Sequence, residues 1–396
     1  MTPGARARTV RREMTLVPWR GAILLAALIA APVRADWVAG WTAAPFPATP
    51  VLTDHDVRDY DDASVRQEIV VNAGGTRLRV RMTNALGTAP LHFVAASIEI
   101  DGRTVTLSFG GGASATIAAG AALTSDPLTV PVKAFQRSAI DVRYGAGAVP
   151  AAHLLTVTAR YPDGHTRTAR GPALAAAVEV DSGTRGRVIV TFGDSITEGA
   201  RATPQSFTGW PELFAARLTT LPGNRDWSVV NAGIHGNRLL RDGAGPNALA
   251  RFDRDVLAVA GATDVIVLEG INDIGWGNAK PTSNGPVTAE DVIAAYRQLI
   301  DRGHAAGLRV TGATLLPFRG SIYFTPAGEQ VRQAVNRWIR TSHAFDAVID
   351  FERAMADARD PSQLAPGKDS GDHLHPSDAG YAAMAASIDP RLFRTR

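Results

Sequence analysis

Residues 187–199 read RVIVTFGDSITEG, and this segment sets the architecture expected of the C-terminal half of the chain. Its first part is a short run rich in β-branched residues, which is typical of a strand buried on both faces of a parallel sheet. Gly193 allows a tight turn, so Ser195 stands just beyond the strand's carboxyl end. A serine in this place is either exposed to a substrate or the cap of the next helix. The Gly-Lys-Ser/Thr step of a phosphate-binding loop is absent from the segment.

Further short apolar runs follow this first strand, separated by stretches of helical periodicity. The runs are 228–231, 265–269, 310–315 and 348–350. One helix is expected after Thr288, which has Asp291 three residues later, and another begins at Thr325-Pro326. Alternating strands and helices predict a parallel sheet covered on both faces, with its functional residues in loops at the carboxyl ends of the strands.

The N-terminal half, from residue 37 to about 170, has a hydrophobic period of two instead. Leu78, Val80 and Met82 alternate with arginines, and Asp101-Gly102 separates two alternating runs as in a hairpin. This pattern predicts an antiparallel β-sandwich. The arginines at 77, 79 and 81 are either one solvated strand face or a site for an acidic glycan.

The first 35 residues have the pattern of an export signal. An Arg-rich start precedes the apolar run Ala22–Ala31, and Val33-Arg34-Ala35 places small residues where a signal peptidase cuts. We expect cleavage before Asp36 and a secreted or periplasmic protein. The apolar run of about 10 residues is half of what a bilayer span needs, so no stable membrane insertion is expected after cleavage.

Charge and cysteine content exclude several classes of protein. The formal net charge is +3, but the first 35 residues hold six arginines and one glutamate. The remainder carries 35 Arg and Lys against 37 Asp and Glu, which gives a net charge of −2 and no electrostatic support for a nucleic-acid partner. The absence of cysteine excludes disulfides, Cys-ligated zinc, iron–sulfur clusters and thiol nucleophiles.

Residues 372–377, DHLHPS, carry candidate acid–base chemistry. An aspartate three residues before a histidine can turn its carboxylate onto the imidazole Nδ1, which leaves Nε2 to take a proton from a serine. This spacing selects Asp372 with His375 rather than His373. Two other interpretations remain open: a metal site of both histidines with Asp372, and a helix cap at Ser377 beside an exposed histidine.

Two loops offer hydrogen-bond donors for an oxyanion. NAGIHGN at 231–237 follows the second strand, and a glycine there can aim its N–H without side-chain obstruction. EGIND at 269–273 follows the third strand and offers the Asn272 amide. Either loop alone is compatible with ordinary turn chemistry. Their order, each after its own strand, favours an acyl-transfer site.

These segments together resemble the SGNH hydrolase (GDSL lipase/esterase) superfamily. The resemblance extends from about residue 188 to the end, and the phrases NAGIHGNRLL, ARFDRDVL, VLEGINDIGW and SGDHLHPSDAGY are similar to its secreted bacterial xylan-esterase-like branch. It implies a flavodoxin-like three-layer α/β/α fold and ester hydrolysis by a Ser-His-Asp triad, with no metal or organic cofactor.

The resemblance also implies the role of each site residue. Ser195 becomes the nucleophile, His375 the base and Asp372 its orienting partner. The oxyanion donors are then the N–H groups of Ser195 and Gly236 and the side chain of Asn272. Alignment on the start of the 231–237 loop favours Gly236 over Gly233 as the donor. His235 stands where a small residue is common in the family.

We therefore expect a signal peptide at 1–35, a jelly-roll-like β-sandwich accessory domain at 36–178 and an SGNH hydrolase catalytic domain at 184–396. The expected activity is that of an exported serine esterase acting on a small-molecule or polysaccharide ester, with deacetylation of polysaccharide as one candidate reaction. The alternatives are a lipase or lysophospholipase and a non-catalytic glycan-binding protein of the cell surface. Trp210 and Trp276 are either a sugar-stacking platform or core residues.

Overall fold

The structure is a computed structural model that describes Met1 and residues 36–46, 60, 62–148, 150, 153–183, 186–224, 226–279 and 285–393. The expected signal peptide and the start of the expected catalytic domain at Thr184 lie outside these residues. The chain divides into two units, Met1–Arg34 and Ala35–Arg396. The described strands and helices all lie in the second unit.

The N-terminal half of this unit contains two antiparallel sheets. Its strands are β1 (Trp37–Thr42), β2 (Ser64–Val71), β3 (Gly75–Thr83), β4 (Leu91–Ile100), β5 (Arg103–Thr106), β6 (Ala115–Ile117), β7 (Ala122–Thr124), β8 (Leu128–Val132), β9 (Gln136–Tyr144), β10 (His153–Arg160), β11 (Thr166–Ala173) and β12 (Ala175–Asp181). One sheet has the order β1-β12-β3-β7, with β8 also paired to β3. The other has the order β11-β10-β2-β9-β4-β5, with β6 paired to β4.

The alternation of apolar and polar residues in the sequence matches the alternation of more and less buried side chains along β3. Leu78, Val80 and Met82 are fully buried on β3. The hairpin between β4 and β5 turns at Asp101 and Gly102, whose φ angles are 48° and 71°. Both values lie in the left-handed region that this two-residue turn requires.

The arginine row on β3 is occupied by contacts within its own sheet. Arg77 and Arg79 are the register partners of Asp181 and Glu179 on β12, and their guanidinium groups reach these carboxylates at 2.5 Å. Both guanidinium groups also lie over the Trp37 ring. Cross-strand ion pairs therefore account for two of the three arginines.

The C-terminal half contains a five-stranded parallel sheet. Its strands are β13 (Arg187–Gly193), β14 (Trp227–Gly233), β15 (Ala262–Leu268), β16 (Arg309–Ala313) and β17 (Ala347–Ile349). Their spatial order is β14-β13-β15-β16-β17, which is the flavodoxin-like order 2-1-3-4-5. The predicted fold class is confirmed: a flavodoxin-like α/β region preceded by antiparallel sheets. The exact domain boundary stays a prediction; β12 ends at Asp181 and β13 begins at Arg187.

Helices connect the parallel strands and pack in two groups. They are α1 (Ser195–Glu198), α2 (Trp210–Thr219), α3 (Ala248–Phe252), α4 (Ile271–Ala279), α5 (Ala289–Ala305), α6 (Pro326–Thr341), α7 (Phe351–Met355) and α8 (Asp378–Ser387), with a π-turn at Asp253–Leu257 and a 3₁₀ turn at Pro390–Phe393. Helix α8 contacts α2 and α7, whereas α5 contacts α3 and α6, and α6 contacts α4. The capping box predicted at Thr288 and Asp291 is present at the start of α5.

A buried arginine joins the ends of the first two parallel strands. The Arg251 side chain has no exposed surface. Its Nη2 donates to the Gly193 carbonyl and its Nη1 to the Ala232 carbonyl, both at 2.8 Å. Its Nε donates to Asn237 Oδ1, also at 2.8 Å. One side chain thus satisfies backbone groups at the carboxyl ends of β13 and β14 and holds the loop that follows β14.

The charge of Arg251 faces two buried carboxylates. Asp255 Oδ2 lies 3.2 Å from Nη1, and Glu269 Oε2 lies 3.6 Å from Nη2. Burial, and next the neighbouring Asp194 carboxylate, raise the pKa of Glu269 well above its ordinary value. The Phe192 ring lies 4.1 Å below the guanidinium and completes its surroundings.

We expect Arg251→Met to lower the free energy of unfolding by about 3–5 kcal/mol, because the Gly193 and Ala232 carbonyls, the Asn237 side-chain oxygen and the Asp255 carboxylate each lose a buried hydrogen bond. A urea titration measures this as a lower midpoint at similar slope. Arg254→Met is the matched control. Arg254 also contacts Asp255 but is 25% exposed, so about 1 kcal/mol or less is expected. Equal losses in the two variants would refute the assigned importance of Arg251.

Candidate active site

Ser195 is the first residue of the one-turn helix α1, directly after β13. The helix cap is Asp194, whose Oδ1 accepts a hydrogen bond from the Ile196 N–H at 2.9 Å. The serine is therefore not the capping residue, which was one of its two sequence-based interpretations. The turn ends at Gly199, which has a left-handed φ of 95°. This geometry leaves the Ser195 hydroxyl available for a contact outside its own helix.

Ser195 contacts His375, and His375 contacts Asp372. Ser195 Oγ lies 2.8 Å from His375 Nε2, although 180 positions separate the two residues. His375 Nδ1 lies 2.8 Å from Asp372 Oδ2. The other Asp372 oxygen accepts the backbone N–H groups of Leu374 at 3.0 Å and His375 at 2.8 Å. The D-x-x-H segment thus folds back on itself and directs Nε2 at the serine.

The electrostatic environment favours a neutral imidazole beside a charged carboxylate. Burial lowers the pKa of His375, and Asp372 partly opposes that effect. Burial would raise the pKa of Asp372, but hydrogen bonds from the backbone and imidazole of His375 hold it well below its ordinary value. Near neutral pH the unprotonated Nε2 can accept the proton of Ser195.

His373 lies outside this hydrogen-bonded chain. Its Nδ1 is 2.6 Å from Asp369 Oδ2, its side chain is 53% exposed, and its φ is 60°. Within the described ranges, no three His, Asp or Glu side chains come close enough to hold a metal ion. Ser377 caps α8 by accepting the Gly380 N–H. The cap predicted at Ser377 is therefore present, but the exposed histidine that this interpretation placed beside it is wrong, because His375 is buried.

The two oxyanion loops meet through a hydrogen bond between Asn272 and the residue after Gly236. Asn272 Nδ2 donates to the Asn237 carbonyl at 2.9 Å, which fixes the orientation of the buried amide. Gly236 has a φ of 71°, a conformation that favours glycine. Among the described residues, the N–H groups of Ser195 and Gly236 have no acceptor. These two N–H groups and the second Asn272 N–H can donate to an oxyanion.

Gly233 has a different task from Gly236. A Cβ at Gly233 would lie 2.3 Å from the Glu198 nitrogen, so this glycine lets β14 approach the backbone of α1. The loop beyond Gly236 is fixed by Asp273, which accepts the N–H groups of Leu239 at 2.6 Å and Leu240 at 3.0 Å. Burial raises the pKa of Asp273 to about 6.

Sequence patterns did not identify a second group of residues beside the site. The His235 ring stacks on His375, with centroids 5.9 Å apart and planes 13° apart. His235 Nδ1 lies 3.3 Å from Glu198 Oε2, and Arg170 Nη2 lies 2.7 Å from Glu198 Oε1. Arg201 Nε also reaches Asp372 Oδ2 at 3.2 Å. His235 was noticed as an unusual residue, but no local pattern connects it with Arg170, which lies on β11.

A cleft of about 370 Å³ opens beside His235 and is lined by both halves of the unit. Trp41 and Phe46 come from the N-terminal half, and Phe207 comes from the loop after α1. The two tryptophans singled out in the sequence lie elsewhere. Trp210 is fully buried against Phe351 and is a core residue, whereas Trp276 is partly buried beside Tyr323.

In the part of the chain that the structure describes, every helix is too short or too polar to cross a bilayer.

A protein-family model matches the part of the chain that contains Ser195, Asp372 and His375. Residues 191–383 match the model of the GDSL-like lipase/acylhydrolase family. None of the curated proteins compared with the chain matches it.

Several solved structures are similar to the chain. A lipolytic protein of the G-D-S-L family from Desulfitobacterium hafniense DCB-2 is 20% identical, with a TM-score of 0.40 over 52% of this chain and 99% of that one. The acetyl xylan esterase AlAXEase is 22% identical, with a TM-score of 0.40 over 50% and 96% of the two chains. A variant of the acetyl xylan esterase Axe2 from Geobacillus stearothermophilus is 24% identical, with a TM-score of 0.41 over 53% and 97%.

We expect the His375 imidazole to titrate below 6.5, because burial disfavours its protonated form. Asp372→Asn should lower this pKa further, since the Asp372 charge opposes the effect of burial. The imidazole Hε1 resonance, followed by NMR from about pH 4 to 8, measures both changes. A pKa at or above 6.5, or an upward shift in Asp372→Asn, would contradict the described electrostatics.

Proposed function

We propose that the chain is an exported serine ester hydrolase that acts through Ser195, His375 and Asp372; residues 191–383 match the model of the GDSL-like lipase/acylhydrolase family. The observation that carries the proposal is the pair of 2.8 Å hydrogen bonds that joins these three side chains. Export is supported by the Arg-rich start and the apolar run Ala22–Ala31 in the sequence.

The first half of the reaction forms an acyl-enzyme. His375 Nε2 takes the Ser195 proton while Oγ attacks the carbonyl carbon of the ester. The resulting oxyanion accepts hydrogen bonds from the N–H groups of Ser195 and Gly236 and from Asn272 Nδ2. Asp372 stabilises the imidazolium without taking its proton. The imidazolium then gives its proton to the alcohol oxygen, and the bond between this oxygen and the acyl carbon breaks.

The second half returns the enzyme to its starting state. A water molecule gives a proton to His375 and attacks the acyl carbon, with the same donors facing the oxyanion. The bond to Ser195 Oγ breaks, His375 returns the proton to Oγ, and the carboxylic acid leaves. Every proton is transferred through one nitrogen atom, which requires His375 to remain in contact with Ser195 throughout.

The cleft beside His235 supports a sugar as the alcohol part of the ester. Its aromatic residues, Trp41 and Phe207 among them, offer apolar surface, and its polar lining offers both donors and acceptors. Arg170 and Glu198 neutralise each other within this lining. A neutral polyol fits these features better than an anion or a long acyl chain does. We therefore propose deacetylation of a polysaccharide as the reaction.

We expect Ser195→Ala to lower kcat on an aryl acetate by at least about 10³-fold, because the residual rate must come from binding and the oxyanion donors alone. Circular dichroism should show a folded variant. EDTA should leave the wild-type rate unchanged. A loss smaller than tenfold would end the serine mechanism.

Two histidine variants provide the matched control for this test. His375→Ala should remove activity, whereas His373→Ala should retain it, because His373 contacts Asp369 instead of Ser195. If EDTA abolishes the activity and zinc restores it, the metal-site interpretation of His373, His375 and Asp372 replaces the triad.

The proposed substrate class predicts a preference for short acyl groups on sugars. We expect kcat/KM to be at least about tenfold higher for an acetylated xylo-oligosaccharide or aryl acetate than for aryl octanoate, since charged and polar side chains interrupt the apolar lining of the cleft. Initial rates with this panel measure the preference. Faster turnover of aryl octanoate would favour the lipase alternative, and turnover of none of these esters would favour a glycan-binding protein.

A further inference from the structure

The N-terminal half contributes a charged side chain to the surroundings of the nucleophile. Arg170 lies on β11, an edge strand of the larger antiparallel sheet. Its guanidinium contacts Glu198, the last residue of α1, at 2.7 Å. Because α1 is a single turn that begins with Ser195, this ion pair holds the nucleophile's helix at its far end.

Glu198 connects Arg170 to the imidazole of His235, which lies beside the candidate active site. The second carboxylate oxygen of Glu198 lies 3.3 Å from His235 Nδ1. The His235 ring in turn lies nearly parallel to the His375 ring. Arg170, Glu198, His235 and His375 thus form one continuous series of contacts between the β-rich half and the proposed base.

The charge of Glu198 depends on these contacts. Only 17% of its side chain is exposed. Burial would raise the pKa of Glu198, but Arg170, then His235 and His375, outweigh burial and hold it below its ordinary value. Tyr381 also faces this carboxylate. Without Arg170, the opposing effect of burial would dominate, and the carboxyl group would be protonated at a higher pH.

We propose that Arg170 is a positioning residue for the esterase reaction: it fixes Glu198, which holds the Ser195 helix in place and keeps His235 stacked on His375. The inference rests on the proposed function of Ser195 and His375. It gives the β-rich half a part in positioning the reacting groups, beyond any binding of substrate. Arg170 itself touches neither Ser195 nor His375, so its effect passes through Glu198.

The test compares Arg170→Met with Arg170→Lys in the full chain. Arg170→Met should lower kcat on aryl acetate by about 10- to 100-fold with little change in KM, because the reacting groups are displaced while the acetyl group still binds. Arg170→Lys should recover most of the rate by restoring the charge. Arg167→Met is the matched control, since residues 167 and 170 point to opposite faces of β11, and its kcat should equal that of wild type.

Glu198→Gln separates positioning from a general loss of stability. The glutamine cannot ionise, so both Glu198→Gln and the double variant with Arg170→Met should show lowered kcat without an upward shift of the acid limb, which is the fall in kcat at low pH as His375 becomes protonated. In Arg170→Met alone, the acid limb of the kcat profile should move to higher pH, because the Glu198 carboxyl group loses the Arg170 charge that lowers its pKa. A purely structural role for Arg170 would lower the melting temperature of Arg170→Met and leave both kcat and the limb unchanged.

Failure of this inference is distinguishable from failure of the proposed function. If wild type hydrolyses no ester, the proposed function fails, and the NMR resonance of His375 still tests the contact series. That resonance should shift in Arg170→Met and stay unchanged in Arg167→Met. Wild-type rates in Arg170→Met, or an unshifted His375 resonance, would overturn the inference. If Arg170→Met does not fold, the kcat of Glu198→Gln decides the question, and a wild-type kcat would overturn the inference.

Discussion

At the carboxyl edge of the parallel sheet, the guanidinium of Arg251 donates to two buried backbone carbonyl groups, those of Gly193 and Ala232. Because the same guanidinium also bonds Asn237, the requirement for backbone hydrogen bonds is coupled to the position of the oxyanion loop. Asn237 then accepts from Asn272 through its own carbonyl. The geometry of the proposed oxyanion donors thus depends on a contact of the buried Arg251 side chain.

The β-rich half is hydrogen-bonded to β14, which is the edge strand of the parallel sheet. Asn72 donates to the Val229 carbonyl at 2.6 Å in a buried contact, and Thr42 donates to the Asn231 carbonyl at 2.8 Å. Both acceptors lie on β14, the strand that leads into the oxyanion loop. The side chain of Asn231 in turn bonds the Thr197 carbonyl of α1 at 2.8 Å. The N-terminal half therefore supports the strand that leads into the 231–237 loop, and this strand in turn supports the helix that begins with Ser195.

The sequence predicted what depends on local pattern and missed what depends on long-range contact. The parallel strands, the capping box at Thr288 and the Asp101-Gly102 hairpin all have signatures within a few residues. Arg332 and Asn336 on α6 are buried although their polarity suggests a solvated face, because both bond the Leu315 carbonyl. No pattern of one segment can indicate such a pairing.

The site shows the same division. The D-x-x-H spacing predicted that Asp372 contacts the imidazole of His375 rather than that of His373, and this bond is made within one turn of chain. The sequence around Glu198 gave no indication that Arg170 is its partner. Arg170 lies 28 positions earlier in the chain, on a strand of the larger antiparallel sheet. This ion pair forms only when the β-rich half and the α/β half of the unit have folded against each other.

The short length of α1 explains why so many distant residues converge on it. A helix of one turn has no stability of its own, because nucleation is unfavourable and few internal hydrogen bonds repay it. The position of Ser195 is therefore set by what surrounds α1: the Asp194 cap before it, the close approach of Gly233 beside it and the Glu198 ion pair at its end. A long helix would place the serine by its own rigidity. Here the position of Ser195, the proposed nucleophile, depends on how the surrounding residues pack. Residues far from Ser195 can therefore alter its position.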